Sequence, residues 1–184
     1  MHYGMYGFAL NGAKSNVPTR EYKTSGTAAT WTIPDGVTEF NMILVGEGGD
    51  ALYGPARAST TATYNSITYT AAGGSSTAGG SSTNGDMNLS GQTGTGSSVA
   101  YPPGIGGSTM FGLGGMAPTS TGSDTGKGYG SGSAYNDGVG NFSGAGSAGV
   151  CIKKIIVVSG HSTVTYTVGN SAGNGGPGLI IFEY

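Results

Sequence analysis

Between residues 46 and 150 the chain places 28 of its 39 glycines, and small residues there keep a spacing of three. Gly73, Ser76, Gly79, Ser82, Gly85, Asn88 and Gly91 share one edge of a helix with three residues per turn, and Gly74, Thr77 and Gly80 share the next. Gly140, Ser143, Gly146 and Gly149 repeat the pattern further on, as do Gly132, Gly138 and Gly144. A floppy tether has no physical reason to hold such a phase. A polyproline-II-like helix packed against its own kind does. Only Gly or Ser lets two backbones come close enough for N–H and Cα–H groups to reach neighbouring carbonyls. Collagen is excluded, because its glycine period is unbroken and its proline content high, whereas this chain breaks the period and has seven prolines. Each ordered glycine costs about 0.5–1 kcal/mol more than alanine. Dense backbone bonding and a conventional β-base are therefore expected to support the segment.

The flanking regions read as that base. Residues 37–45 (VTEFNMILV) suit a strand and are bounded by Pro34-Asp35-Gly36 and Gly46. Residues 152–159, 162–169 and 179–184 are further predicted strands, and 63–70 is another inside the middle. In 162–169, Val164, Tyr166 and Val168 face one way and Thr163, Thr165 and Thr167 the other. Ser159-Gly160-His161-Ser162 suits a hairpin turn between two of these strands. No stretch carries an amphipathic helical period of useful length. The expected fold is all-β with little or no helix: an antiparallel sheet or sandwich base plus a glycine-rich polyglycine-II bundle. Residues 1–29 form an attachment segment or an extra strand; 30–184 form the domain, with the glycine-rich insert at about 46–150.

Charge restricts the partners. The net charge is −2 and only 9% of residues are charged. No basic residue lies between Arg57 and Lys127, so the cluster that phosphate backbones require is missing and nucleic acid is not an expected partner. Lys153 and Lys154 read as solvated strand residues. The single cysteine, Cys151, lies in an apolar run and reads as a buried, inert thiol. Residues 1–14 (MHYGMYGFALNGAK) have neither a basic n-region nor a long apolar run, and no stretch reaches membrane-spanning length. Neither secretory export nor membrane insertion is expected; synthesis in the cytoplasm fits, with the protein left there or carried out as part of a larger particle.

Patterns that resemble catalytic motifs lack their context. Residues 169–173 match G-x-S-x-G but lead into a glycine-rich turn, where that motif needs a strand-to-helix elbow. Residues 144–149 match G-x-G-x-x-G but precede a strand. His2 and His161 are the only histidines, and Asp86 and Asp124 are too far apart for a calcium loop. No enzyme activity, catalytic residue, metal ligand or cofactor is expected. Binding fits better. Large residues interrupt the glycine phase at Tyr101-Pro102-Pro103, Met110-Phe111, Tyr129, Tyr135-Asn136-Asp137 and Phe142. Loops joining packed helices collect at the ends of a bundle, where exposed Tyr, Asn and Asp suit a sugar or a membrane-protein loop. The same aromatics can instead cover the sides of the bundle.

The order of the motifs resembles the glycine-rich tail-fibre and tip-adhesin domains of tailed bacteriophages. TWTIPDGVTEFNMILVGEGGD at 30–50, GAGSAGVCIKKIIVV at 144–158, VTYTVGNSAGNGG at 164–176 and PGLIIFEY at 177–184 carry the likeness, which covers residues 30–184. Glu47, Asp50 and Tyr53 interrupt the first glycine run, and Ser159-Gly160-His161 stands where family members carry Pro-Gly. The resemblance implies a virion protein that binds a host surface glycan or outer-membrane protein, with Tyr101, Met110, Phe111, Tyr129, Tyr135, Asn136 and Asp137 as receptor contacts. It implies other virion proteins as partners and leaves a homotrimer and a single copy both open. The opening segment with Tyr3, Tyr6 and Phe8 falls outside the pattern and reads as either an attachment to another virion protein or an extra strand of the same domain. A capsid decoration or head fibre without receptor binding is the alternative, and a cellular glycine-rich or ice-binding surface protein is a third class.

Overall fold

A computed structural model describes residues 17–52, 54–96, 104–118, 120–139, 141–170 and 173–184. Among these the secondary structure is entirely β. In chain order the strands are β1 (Arg20–Lys23), β2 (Ala29–Thr32), β3 (Glu39–Val45), β4 (Thr60–Tyr64), β5 (Ile67–Ala71), β6 (Ser82–Thr83), β7 (Met87–Leu89), β8 (Gly112–Leu113), β9 (Gly122–Asp124), β10 (Lys127–Gly128), β11 (Ala134–Asn136), β12 (Phe142–Gly144), β13 (Val150–Ile156), β14 (Thr163–Thr167) and β15 (Leu179–Glu183). One five-stranded sheet runs β1-β15-β3-β13-β7 and a second runs β2-β14-β4-β5-β6. All named pairings are antiparallel.

The alternation within β3 explains the layering. Phe40, Met42 and Leu44 point between the sheets, where they meet Trp31, Ala62, Tyr64, Tyr69, Val164 and Tyr166 of the second sheet. Trp31 stacks on Phe182 of β15 at a centroid distance of 4.0 Å. Val45, Val150, Leu179 and Ile181 face the other side of the first sheet, where Phe111 and Tyr129 pack against them. Cys151 is buried, and burial pushes its thiol pKa up.

Three expectations are corrected. Residues 63–70 are not one strand: β4 and β5 form a hairpin around Asn65 and Ser66, at φ 47° and 62°. The turn at 159–162 does not close a hairpin, because β13 and β14 lie in different sheets. Both strands carry an apolar face, Cys151 and Ile155 on one and Val164 and Tyr166 on the other. Placing the strands in opposite layers buries both faces in one core. Nor are residues 73–91 one continuous helix. The chain reverses at 75–78, where the Ser75 hydroxyl accepts the N–H groups of Thr77 and Ala78. It reverses again near Asn84, at φ 64°, with Asn88 accepting the Gly85 N–H.

The glycine-rich region bonds in a way no sheet does. Residues 144–149 connect β12 to β13, and their amides reach three different neighbours. Ala145 and Ala148 donate to Ser133 and Gly130, Gly146 and Gly149 to Ser75 and Ala72, and Ser147 to Gln92. Their carbonyls accept from three more: Gly46 and Gly49 bond to Gly149 and Gly146, Gly107 to Ala145, and Gly80 to Ser147. Six chain segments thus surround one, with bonds to a given neighbour recurring every third residue; a strand in a sheet has two neighbours. Close approach is obligatory. A Cβ on Gly146 would fall on the carbonyl of Ala78, and one on Gly74 would fall on the carbonyl of Gly146.

Candidate binding surface

The glycine-rich segments have a near and a far end. β3 passes at Val45 into 46–49, and 144–149 return into β13 at Val150, so Gly46 and Gly149 lie near the sandwich and Asp50 and Gly144 far from it. The turn at 75–78 and residues 137–139 lie at the far end, with the small sheet β12-β11-β9.

The predicted receptor contacts divide between the two ends. Tyr101 lies outside the described residues, as do Tyr3, Tyr6 and Phe8. Met110, Phe111 and Tyr129 sit at the near end: Phe111 and Tyr129 cover the first sheet, and Met110 is 62% exposed beside them. The near-end pair therefore has a packing role. Tyr135 is half-buried at the far end. Asn136 is buried, its amide donating to the Pro118 carbonyl at 2.8 Å and its oxygen accepting the Gly138 N–H at 2.8 Å. It shapes the far-end turn from within and offers no surface contact.

Asp137 builds the turn that follows. One carboxylate oxygen accepts the N–H groups of Val139 and Asn141 at 2.9 and 3.0 Å, and the other accepts the Asn141 side-chain amide at 2.6 Å. The Asn141 amide and then the two backbone N–H groups hold its carboxyl below the ordinary carboxylate range. Val139 stands at the tip, 83% exposed. Nearby in the fold, Ile105 and Met116 form a bridge and both remain exposed. Asp124 secures that region by accepting the Met116 N–H at 3.0 Å and the Lys127 ammonium at 2.7 Å. Lys127, followed by the Met116 N–H, lowers the pKa of Asp124.

Glu47 and Asp50 form a buried feature that sequence reasoning missed, having read them only as interruptions. Both are buried, and Asp50 meets the guanidinium of Arg57 at 2.6 Å. Asp50 also accepts the N–H groups of Leu52 and Asn174, and Glu47 accepts that of Ala58. The cluster fastens the loop after 46–49 to the segment leading into β15. Acids in a run otherwise free of charge, with an arginine seven residues on, were its only sequence signal.

At the opposite pole, Thr19 pairs with Tyr184 through both backbone groups, and exposed Val17 leads back toward the N-terminus. Among the described residues no group of His, Cys, Asp and Glu is arranged to hold a metal ion. Comparisons with protein-family models, curated proteins and solved structures gave no match.

Proposed function

We propose that this chain is a receptor-binding adhesin of a tailed-phage tail fibre or tail tip, and that its glycine-rich segments form a polyglycine-II bundle. The bonding of 144–149 to six neighbours with a three-residue recurrence supports the bundle. The single observation that carries the adhesin reading is polarity. The described chain starts beside the Thr19–Tyr184 pairing at one pole of the sandwich, and turns built by internal hydrogen bonds stand at the other. That polarity supports attachment to a particle through one end and contact with a surface through the other. Preorganised turns bind without a large ordering cost, which suits a protein working outside the cell. Val139, with Ile105 and Met116, supplies apolar contact there, and Asp137 keeps the turn in shape.

Labelled full-length protein should bind cells of the host strain and block adsorption of the particle. Val139→Lys should weaken cell binding at least tenfold with the melting transition unchanged. Particles that carry the protein on the capsid, together with no cell binding by the purified chain, would replace this reading with that of a structural decoration protein.

A further inference from the structure

The outward face of the second sheet is composed of threonine alone. Its inward positions, among them Trp31, Val164, Tyr166, Ala62, Tyr64 and Tyr69, belong to the core. The outward positions are Thr30 and Thr32 on β2, Thr163, Thr165 and Thr167 on β14, Thr61 and Thr63 on β4, Thr68 and Thr70 on β5, and Thr83 on β6. All ten are exposed or half-exposed. The strand register aligns them in rows: Thr30, Thr165, Thr63 and Thr68 form one, Thr167, Thr61, Thr70 and Thr83 the next, and Thr32 and Thr163 a third. Thr63 and Thr68 share a hydroxyl hydrogen bond of 2.9 Å across the hairpin.

Strand propensity accounts for any one of these threonines. It does not account for the absence of every other type. A solvent-facing sheet ordinarily carries Lys and Glu, which keep it soluble and discourage pairing, yet no outward position here is charged. The result is a lattice of hydroxyls and methyls repeating about 4.8 Å across the strands and about 6.8 Å along them.

Three kinds of occupant can be weighed. Five strands by two such steps give a footprint of roughly 300 Å², well short of the ~800 Å² per partner that a stable protein interface needs. A saccharide site calls for a cleft with aromatic or convergent polar walls, and among the described residues this face is an open sheet without an aromatic. A crystalline water surface needs no cleft. It needs donors and acceptors at fixed repeats, which hydroxyls provide, methyls between them, and no charge holding a hydration shell of its own. The two repeats are similar in size to the oxygen repeats on the prism faces of ice.

We infer that the threonine face of the second sheet binds the surface of ice. The face lies on the sandwich, apart from the far-end turns, and the inference does not rest on the adhesin reading. Nanolitre osmometry and ice-recrystallisation assays on the full-length chain test it. The expected result is a freezing point held below the melting point and grains that stop coarsening. Thr165→Lys or Thr63→Lys, at the centre of the array, should return both readings to buffer level while the thermal transition persists. Thr30→Lys, on edge strand β2, serves if a central variant does not fold. Wild-type protein that leaves ice growing as in buffer overturns the inference. So does activity that survives in folded lysine variants, or retention on a neutral polysaccharide resin with no effect on ice. The adsorption assay is read separately: Val139→Lys should leave ice activity intact, and Thr165→Lys should leave cell binding intact.

Discussion

Arg57 lies with its guanidinium against Gly173 and its charge on the buried Asp50. Breaking a buried ion pair by removing one partner leaves a stranded charge. Arg57→Ala should therefore destabilise the fold by about 3–5 kcal/mol, measurable by denaturant unfolding. Glu21 makes a different kind of lock. Its carboxylate accepts the indole N–H of Trp31 at 3.0 Å, the Tyr184 hydroxyl at 3.0 Å and the Lys23 ammonium at 2.8 Å. Lys23 is the largest cause of its lowered pKa, and the Trp31 and Tyr184 bonds add to it. A carboxylate depressed in the folded state stabilises the fold above its unfolded pKa, and that contribution is lost as pH falls through the folded pKa. Trp31 is the only tryptophan, so its fluorescence reports the event. The emission should titrate with a midpoint below the ordinary glutamate value of about 4.3, and Glu21→Gln should remove that step.

At the scale of elements, the glycine segments depend on closeness more than on sequence identity. Gly146→Ala drives a methyl into the Ala78 carbonyl and should cost about 1–3 kcal/mol or more, because the obstacle is backbone. Gly54 is exposed and its Cβ would meet only the Ser76 hydroxyl at 3.8 Å, so Gly54→Ala should stay within about 0.5 kcal/mol of wild type. Comparing the two melting curves checks the packed reading of the segment. The contrast also marks what was legible beforehand. Strands β3, β13, β14 and β15 fall within two residues of the expected positions at nearly every boundary, since their apolar residues must face a core. The spacing of three at 73–91 falls on glycines that neighbouring backbone crowds, but Thr77 and Asn88 on the same edges are exposed. It cannot show where the chain turns back, because Ser75 and Asn84 make their turns by side-chain and backbone bonds that the period does not encode. The destination of β14 was illegible for a related reason: four turn residues do not state which layer the next strand enters. In the candidate surface, Asp137 was readable as a polar loop residue, whereas Val139 was not singled out and Asn136 turned out to be internal.

Over the whole molecule, sandwich and glycine segments share one continuous backbone network. Gly46 and Gly149 bond to each other where both enter the sheet, and Gly178 bonds to Gly169 at the start of β15. The two parts should therefore unfold together, with Trp31 fluorescence and far-UV circular dichroism tracing a single coincident transition. This order, reached with few large side chains, is what allows the far-end turns and the threonine face to hold fixed shapes. Amide hydrogen exchange resolved to Ala145–Gly149 and Gly46–Gly49 tests it most directly. These amides should be protected to the same degree as those of β3, in keeping with global opening. Exchange at the rate of an unfolded chain across both segments, with β3 still protected, would return the glycine-rich region to a tether.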